Sequence, residues 1–507
     1  MQHGHSYASS PLARSTGVKV DPPCSLSAQR LVVIGGGTGC NAILAPFQDA
    51  AKTTFVVPVS DDGGSTAEIL RVLGGPALGD IRSRLVRLIP HSEPDSPLSC
   101  IRRLLEYRLP SSGTPYEIKG EWHTIVEGTH KLWKGIPGDR KETLRAFLVY
   151  FETAVLKKAQ RGFDFKKASI GNLFLSGAFL FLGSIPSAIF LFASLTGIPH
   201  ERCVVVPVIN TASTATIAAE LENGQIIAGQ SEISHPSPDS IPPLSQMQPP
   251  TPSPATSALP TAPTTPIPQY PALNAPSTSY FPLTRATTPS FPEPPVLGAE
   301  EDDDARVLLD SPDPNNPTSM ETRRKSRNVE FSKDATECPP LEARIKRVFY
   351  LSAFGLEIFP RPNGVFTESL QTATTLVYAP GSLYTSILPC LALRGVGSLI
   401  STSPSLRYKV LLLNSTLDRE TSGYTALDFV KAISSACNRC YGEDEATRRT
   451  YEPSDFVSHV VYLEQGEVTV EKDELQALGI QVVAAKRTST GLFDDEVVRD
   501  ALERIFA

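Results

Sequence analysis

The 507-residue chain is predicted to fold as an α/β domain, a mostly parallel sheet with flanking helices interrupted by a long disordered insertion. Three observations carry that expectation. Short apolar, β-branched runs recur along the chain, each ending in a loop of glycines, hydroxyls or acids followed by helical spacing. Residues 1–29 mix Ser, Pro and His, and residues 236–340 are dominated by Pro, Ser and Thr, neither segment having an apolar period. With both set aside, about 370 residues remain, the size of one large α/β domain with subsidiary elements. The expected organisation is a disordered N-terminus over 1–29, a first part of the domain over 30–235, the insertion over 236–340 and a second part over 341–507.

Composition narrows the function. With 47 Lys and Arg against 54 Asp and Glu the net charge is −7, and no basic stripe marks a nucleic-acid partner. The first residues lack the apolar core of a secretory signal and are not Arg-rich, so a cytoplasmic address is expected. Eight cysteines are too dilute for a disulfide framework. Cys437 and Cys440 form a lone C-x-x-C pair where a zinc site wants a second, so they read as ordinary helix-end cysteines. Leu173 to Leu195 has the length of a membrane span, but Gly183, Ser184, Pro186 and Ser187 interrupt it; two short buried helices are expected and no membrane.

The chain is organised around Leu31 to Gly39. Leu31–Ile34 reads as a buried strand running into Gly35, Gly36, Gly37, Thr38 and Gly39, a phosphate cradle. Glycine permits positive φ and close backbone approach, and a helix from Asn41 to Phe47 would offer its free N–H groups to an anion. A Rossmann loop would need glycine at Cys40, a Walker A loop would need G-K-[ST], and a tight turn without ligand stays open. A second strand, Thr53 to Ser60, ends in Asp61, Asp62, Gly63, Gly64 and Ser65. Asp61 lies 26 positions past Gly35, near the ~20-residue offset of a ribose-binding acid. Paired carboxylates also suit Mg2+ or an attacking hydroxyl, or they cap the next helix. Asp80 then reads as the N-cap of a helix whose first turn holds Arg82, unfavourable to the dipole unless it meets an anion such as phosphate.

Residues 91–168 read as helical and polar, and Trp122, His123 and His130 receive no role. Asn172, after Gly171 at a helix start, is either a cap or an amide offered to a ligand. Cys203–Ile209 is a third strand, followed by a hairpin turned at Asn223 and Gly224 whose second arm, QIIAGQSEI, runs into the insertion. The insertion's two ends, GQSEI and RIKRVFYL, both read as strands, expected to be neighbours. Within it, Thr251, Ser253, Thr265, Thr288 and Ser311 each precede proline and Ser326 follows a basic run, which makes it either a kinase target or a passive spacer. Beyond it, Thr374–Ala379 enters Pro380, Gly381, Ser382, Leu383, Tyr384, Thr385 and Ser386. That loop reads as a second anion cradle with Tyr384 placed to stack on a base. KVLLLN, ending in Asn414, FVSHVVYL and IQVVAAK are further strands, and TSGYT leads a helix.

Six elements in order, IGGGTG (34–39), DDGGS (61–65), GDIR (79–82), GNLFL (171–175), PGSLYTSILP (380–389) and the ET-GYT element (420–425), resemble the superfamily of 2-phospho-L-lactate transferase (CofD) and the gluconeogenesis factor (YvcK). The resemblance covers residues 30–235 and 341–500, and PGSLYTS looks like the YvcK branch. It implies a Rossmann-like core with a nucleotide or nucleotide-sugar ligand at the carboxyl ends of the strands, bound by Gly36, Gly37, Thr38, Gly39, Asp62, Asp80, Arg82, Asn172, Gly381, Ser382, Tyr384, Thr385 and Ser386. The YvcK branch implies a UDP-sugar-binding regulator of carbon or cell-wall metabolism. The other branch implies an enzyme that transfers a phosphoryl-linked group from a nucleotide donor to an alcohol, with Asp61 and Asp62 holding Mg2+ and Asp61, Asp62 and Arg82 in the catalytic roles. A scaffold acting through the insertion is the third class, and a homo-oligomer is compatible with each. The chain departs from the family pattern where GDIR continues as SRL, in a segment before Gly423 shorter by one residue, and in the insertion itself.

Overall fold

The structure, a computed structural model, describes residues 25–37, 39–158, 161–235, 340–352, 354–439 and 449–507. The expectations for residues 1–24, Thr38, 236–339 and Cys440 therefore fall outside the described residues. Residues 25–29, assigned to the N-terminal tail by their composition, join the fold: Leu26 is buried, and Gln29 Oε1 accepts from the hydroxyls of Thr374 (2.5 Å) and Thr375 (3.2 Å).

In the first half of the chain the order is β1 (Arg30–Ile34), α1 (Ala45–Gln48), β2 (Lys52–Val57), α2 (Gly64–Leu73), α3 (Gly79–Leu88), α4 (Pro97–Glu106), α5 (Pro115–Glu127), α6 (Gly138–Leu156), α7 (Ile170–Leu182), α8 (Ile185–Thr196) and β3 (Cys203–Pro207). There follow β4 (Thr216–Leu221), β5 (Ile226–Ala228) and α9 (Gln230–Ser234); after residue 339 come β6 (Ile345–Leu351), β7 (Glu357–Ile358), β8 (Thr375–Tyr378), β9 (Tyr408–Leu412), β10 (His459–Leu463) and β11 (Gln481–Ala485).

Seven strands form one sheet in the order β11-β10-β9-β8-β1-β2-β3, with every neighbouring pair parallel. Flanking helices cover the sheet, and β1, β2 and β8 are accordingly buried along almost their whole length rather than at alternate residues. The Rossmann-like α/β expectation is met. β8 is the central strand and β1 lies beside it, Val33 opposite Phe55 of β2 on one side and Val377 of β8 on the other. From β1 the chain builds toward β3 in its first half and resumes on the opposite flank at β8 in its second. The carboxyl ends of β1 and β8 are thus the topological switch point, where open α/β sheets present their ligand crevice.

A second, antiparallel sheet runs β5-β4-β6-β7. The hairpin at Asn223 and Gly224 is present, but its second arm stops at Ala228. Gly229 takes φ +98°, and Gln230–Ser234 is helical, so GQSEI is not a strand and β5 and β6 are not neighbours; both pair with β4. The apolar stretch after Asn172 forms α7 and α8, broken at Gly183 with Pro186 in the first turn of α8. No single helix among the described residues is long and apolar enough to cross a membrane. Trp122 is core: it is fully buried, stacked on Phe165 and bonded through Nε1 to Glu152. His123 faces Glu152 and His130 caps a short turn through Nδ1, so both histidines act within the helical layer.

Candidate functional site

The glycines after β1 do not work through positive φ, since none of Gly35, Gly36, Gly37 or Gly39 adopts it. They work through close approach. A Cβ on Gly37 would run into Asp80 Oδ1, and one on Gly39 into the Pro380 carbonyl, so the first loop is pressed between α3 and the loop after β8. The helix expected over Asn41–Phe47 is broken into a 3-10 turn at Cys40–Ala42 and the single-turn α1, so no continuous helix starts from the loop in that stretch. What supports the loop is Arg84. Only 1% exposed, it donates from Nη1 to Cys40 Sγ (2.7 Å) and from Nη2 to the Gly36 carbonyl (2.8 Å), with its guanidinium 5.1 Å from the Phe55 ring.

Beside this loop lies an acid cluster. Asp61 Oδ1 accepts the Gly63 N–H at 3.0 Å, a local turn at the entry to α2. Burial, and then the neighbouring Asp80 charge, push the Asp61 carboxyl up to about 7. Asp80 is not the N-cap of α3, a position held by Leu78; it sits inside the first turn and accepts the Gly37 N–H. Burial raises its carboxyl to about 6 against the opposing charges of Arg84 and Arg82. Asp62 caps neither α2 nor any neighbour in sequence: its Oδ1 accepts the N–H of Ser231 in α9 at 2.8 Å.

Arg82 is held by an amide rather than a carboxylate. Its Nε donates to Asn172 Oδ1 (2.9 Å), and Asn172 Nδ2 donates to Ser65 Oγ (2.9 Å). Asn172 is therefore no cap, Ser169 occupying that position of α7; it locks α2, α3 and α7 together. Burial, and then the charge of Arg108, lower Arg82 to about 10. Arg108, which the sequence did not single out, thus joins Asp61, Asp80, Arg82 and Asn172 at the carboxyl end of the sheet.

The loop after β8 is built differently. Gly381 takes φ +150° and is clamped by Asn414, whose Oδ1 accepts the Gly381 N–H (3.0 Å) while Nδ2 donates to its carbonyl (2.9 Å). Tyr384 and Thr385 turn inward onto Glu420, a 3%-exposed carboxylate accepting from the Tyr384 N–H (2.9 Å), the Thr385 N–H (3.2 Å), Thr385 Oγ1 (2.6 Å) and Ser234 Oγ (2.5 Å). Tyr384 is 4% exposed, its hydroxyl shared with the Ile345 carbonyl and Tyr424, so the ring is not available to stack on a base. Gly381, Ser382 and Ser386 stay half-buried at the crevice, Ser386 against Gly36. Sequence reading missed Glu420, Asn414 and Arg84 as positioning groups.

Over most of its length this chain resembles known proteins. The family model described as 2-phospho-L-lactate transferase CofD matches residues 31–488. An uncharacterized protein of Saccharomyces cerevisiae is 34% identical over 461 residues, covering 87% of this chain and 92% of that one. The gluconeogenesis factor of Bacillus subtilis is 30% identical over 169 residues, 33% of this chain and 50% of that protein. A solved UPF0052-family protein of Bacillus halodurans shares the fold, with a TM-score of 0.53 at 19% identity across 94% of this chain and 99% of that one.

Proposed function

The chain belongs to the 2-phospho-L-lactate transferase CofD family, and on that premise we propose that it binds a nucleotide diphosphate of UDP-sugar type, without turnover, between the loops after β1 and β8. One observation carries the reading: two glycine-bearing loops of adjacent parallel strands meet at the switch point of the sheet, with Gly36 against Ser386 and Gly39 against Pro380. Gly36, Gly37, Gly381, Ser382 and Ser386 face the phosphates, and Arg82 supplies the cation. Relatives named gluconeogenesis factor support a regulator over an enzyme.

Mg2+ fits the donor set. Among the described residues no three His, Cys, Asp or Glu side chains converge as metal ligands. Asp61 and Asp62 would hold the ion, with its remaining positions left to phosphate oxygens and water, the pattern of a cation bound together with a nucleotide. Asp61 beside Asp80 is the kind of like-charged pair that a divalent cation relieves. When bound, Mg2+ neutralises phosphate charge.

The second reading is an enzyme that transfers a phosphoryl-linked group from a nucleotide donor to an alcohol, favoured by the Asp61, Asp80 and Arg82 cluster. There a carboxylate raised to about 7 can take the proton of an acceptor hydroxyl while Arg82 steadies phosphate charge. Calorimetric titration with UDP-, GDP- and CDP-linked compounds in Mg2+ tests binding, and silence in all of them removes both readings. Incubation with GTP and candidate alcohols separates the two; a product that requires the chain decides for the enzyme.

A further inference from the structure

The residues just before position 236 are built into the crevice. At one end of α9 the Ser231 N–H is taken by Asp62. At its other end Ser234 Oγ donates to Glu420 and lies 3.0 Å from Thr385 Oγ1. Arg419 Nη1 donates to the carbonyls of Glu232 (2.7 Å) and Ile233 (2.6 Å), which closes the carboxyl end of the helix. Asp418 Oδ1 fixes the turn that carries these residues by accepting the Glu420 and Thr421 N–H groups, each at 3.0 Å. One buried carboxylate thus holds α9, the loop after β8 and the 418–421 turn, and α9 holds Asp62.

We propose that Glu420 is the positioning residue of the crevice, fixing α9 against the loop after β8 and thereby setting where the Asp62 carboxylate stands. It touches no ligand; it acts through Ser234 and the Tyr384 and Thr385 N–H groups on one side and through α9 on the other. The inference deepens the nucleotide-binding reading, because the residues it positions are those assigned to ligand and Mg2+. It also makes the stem of the 236–339 segment a handle on the site, since a displacement of α9 is delivered to Asp62 and to the second loop together.

Amide hydrogen exchange on the full-length, ligand-free chain tests the coupling whether or not a nucleotide binds. Glu420→Gln keeps the shape of the side chain but turns an NH2 toward donors, and should speed exchange about tenfold or more in both 229–235 and 380–388, with 170–182 unchanged. Acceleration confined to 380–388 overturns the proposal. Should Glu420→Gln fail to fold, Ser234→Ala removes a single hydroxyl and decides the same point: exchange rising in both segments supports it, and wild-type exchange in both overturns it. Titration with UDP-N-acetylglucosamine and Mg2+ adds an arm that a merely structural role would not move. Glu420→Gln should weaken binding, and Glu420→Gln with Asp62→Asn should be no weaker than Asp62→Asn alone; additive losses overturn the link to Asp62. A wild-type chain silent to the sugar nucleotide removes the ligand assignment, while the exchange result still stands or falls by itself.

Discussion

The loops after β1 and β8 read alike in sequence, each a buried strand entering glycines and hydroxyls, yet each is completed by a carboxylate of a different kind. Asp80, which takes the Gly37 N–H, is half-buried and has Arg82 and Arg84 around it. Glu420, which takes the Tyr384 and Thr385 N–H groups, is buried, and its strongest charged neighbour is another acid, Asp418. The first loop keeps the partly exposed Arg82 beside it, with Arg84 buried beneath. The second has turned the Gly381, Tyr384 and Thr385 N–H groups onto Asn414 and Glu420, and leaves Ser382 and Ser386 half-buried at the crevice. An anion-cradle signature therefore specifies backbone donors, and whether a ligand or the protein's own carboxylate fills them depends on groups far away in sequence.

The largest expected effect breaks the first loop from below. Arg84→Ala leaves the buried Gly36 carbonyl and the Cys40 thiol without their donor and opens a cavity beneath the loop. A loss of about 3–5 kcal/mol is expected in urea unfolding, the scale of removing a buried charged partner. A loss below about 1 kcal/mol would mean that water replaces the guanidinium and that the two loops are equally open.

The second loop is tested by pH. Burial, and then the Asp418 charge, raise the Glu420 carboxyl from an ordinary 4.5 to about 7, against the hydrogen bonds from Ser234, Thr385 and Tyr384. Between those values the folded chain keeps a proton that the unfolded chain has released. This group's contribution is therefore full below about 4.5 and declines as pH rises toward 7, by up to about 1.4 kcal/mol per pH unit for one proton. Thermal unfolding across that window should show the slope in the wild type and a shallower one in Glu420→Gln. Equal slopes would place the titration on the Asp61 and Asp80 carboxyls, which burial raises in the same direction, and not on Glu420.

Asp62 lies between the two loops and separates ligand from cap. Asp62→Asn retains an oxygen for the Ser231 N–H but loses the charge, so nucleotide affinity should fall by about 1.5–3 kcal/mol with little change in melting temperature. Unchanged affinity with a lower melting temperature would leave Asp62 as the cap of α9 alone.

Every strand of the parallel sheet was legible, because buried runs such as Leu31–Ile34 and Lys409–Leu412 announce themselves by composition alone. The failures share a cause. GQSEI reads as a strand until Asp62, 169 residues away, supplies the cap that starts α9. Glu420 meets Ser234 across 186 residues, and no local pattern encodes that contact. Arg84 did leave a signal: with Ile81, Leu85 and Leu88 it completes the i, i+3, i+4, i+7 stripe of α3, and an arginine on that stripe is a buried one. Tyr384 was placed by its neighbours in the loop, whereas its ring belongs to the core shared with Tyr424.

The smallest effect concerns the segment that separates the two halves of the domain. Residues 236–339 have almost no apolar period, so they contribute little to a core. The elements on either side are already held to one strand: the Gly229 N–H bonds the Ile217 carbonyl at 2.8 Å, and Ile217 of β4 pairs with Tyr350 of β6. A Gly/Ser linker of about a dozen residues shortens the connection by some three halvings, worth about 2 kcal/mol at most in loop-closure entropy and favourable to folding. Stability should stay equal or rise slightly, with nucleotide affinity intact, because the bonds from Asp62 and Glu420 to α9 do not involve the deleted residues. A soluble deletion variant with wild-type melting but faster amide exchange in 229–235 would show that the segment helps to seat α9. An insoluble one would show that it packs on the core, and the two loops would then differ in what covers them as well as in what fills them.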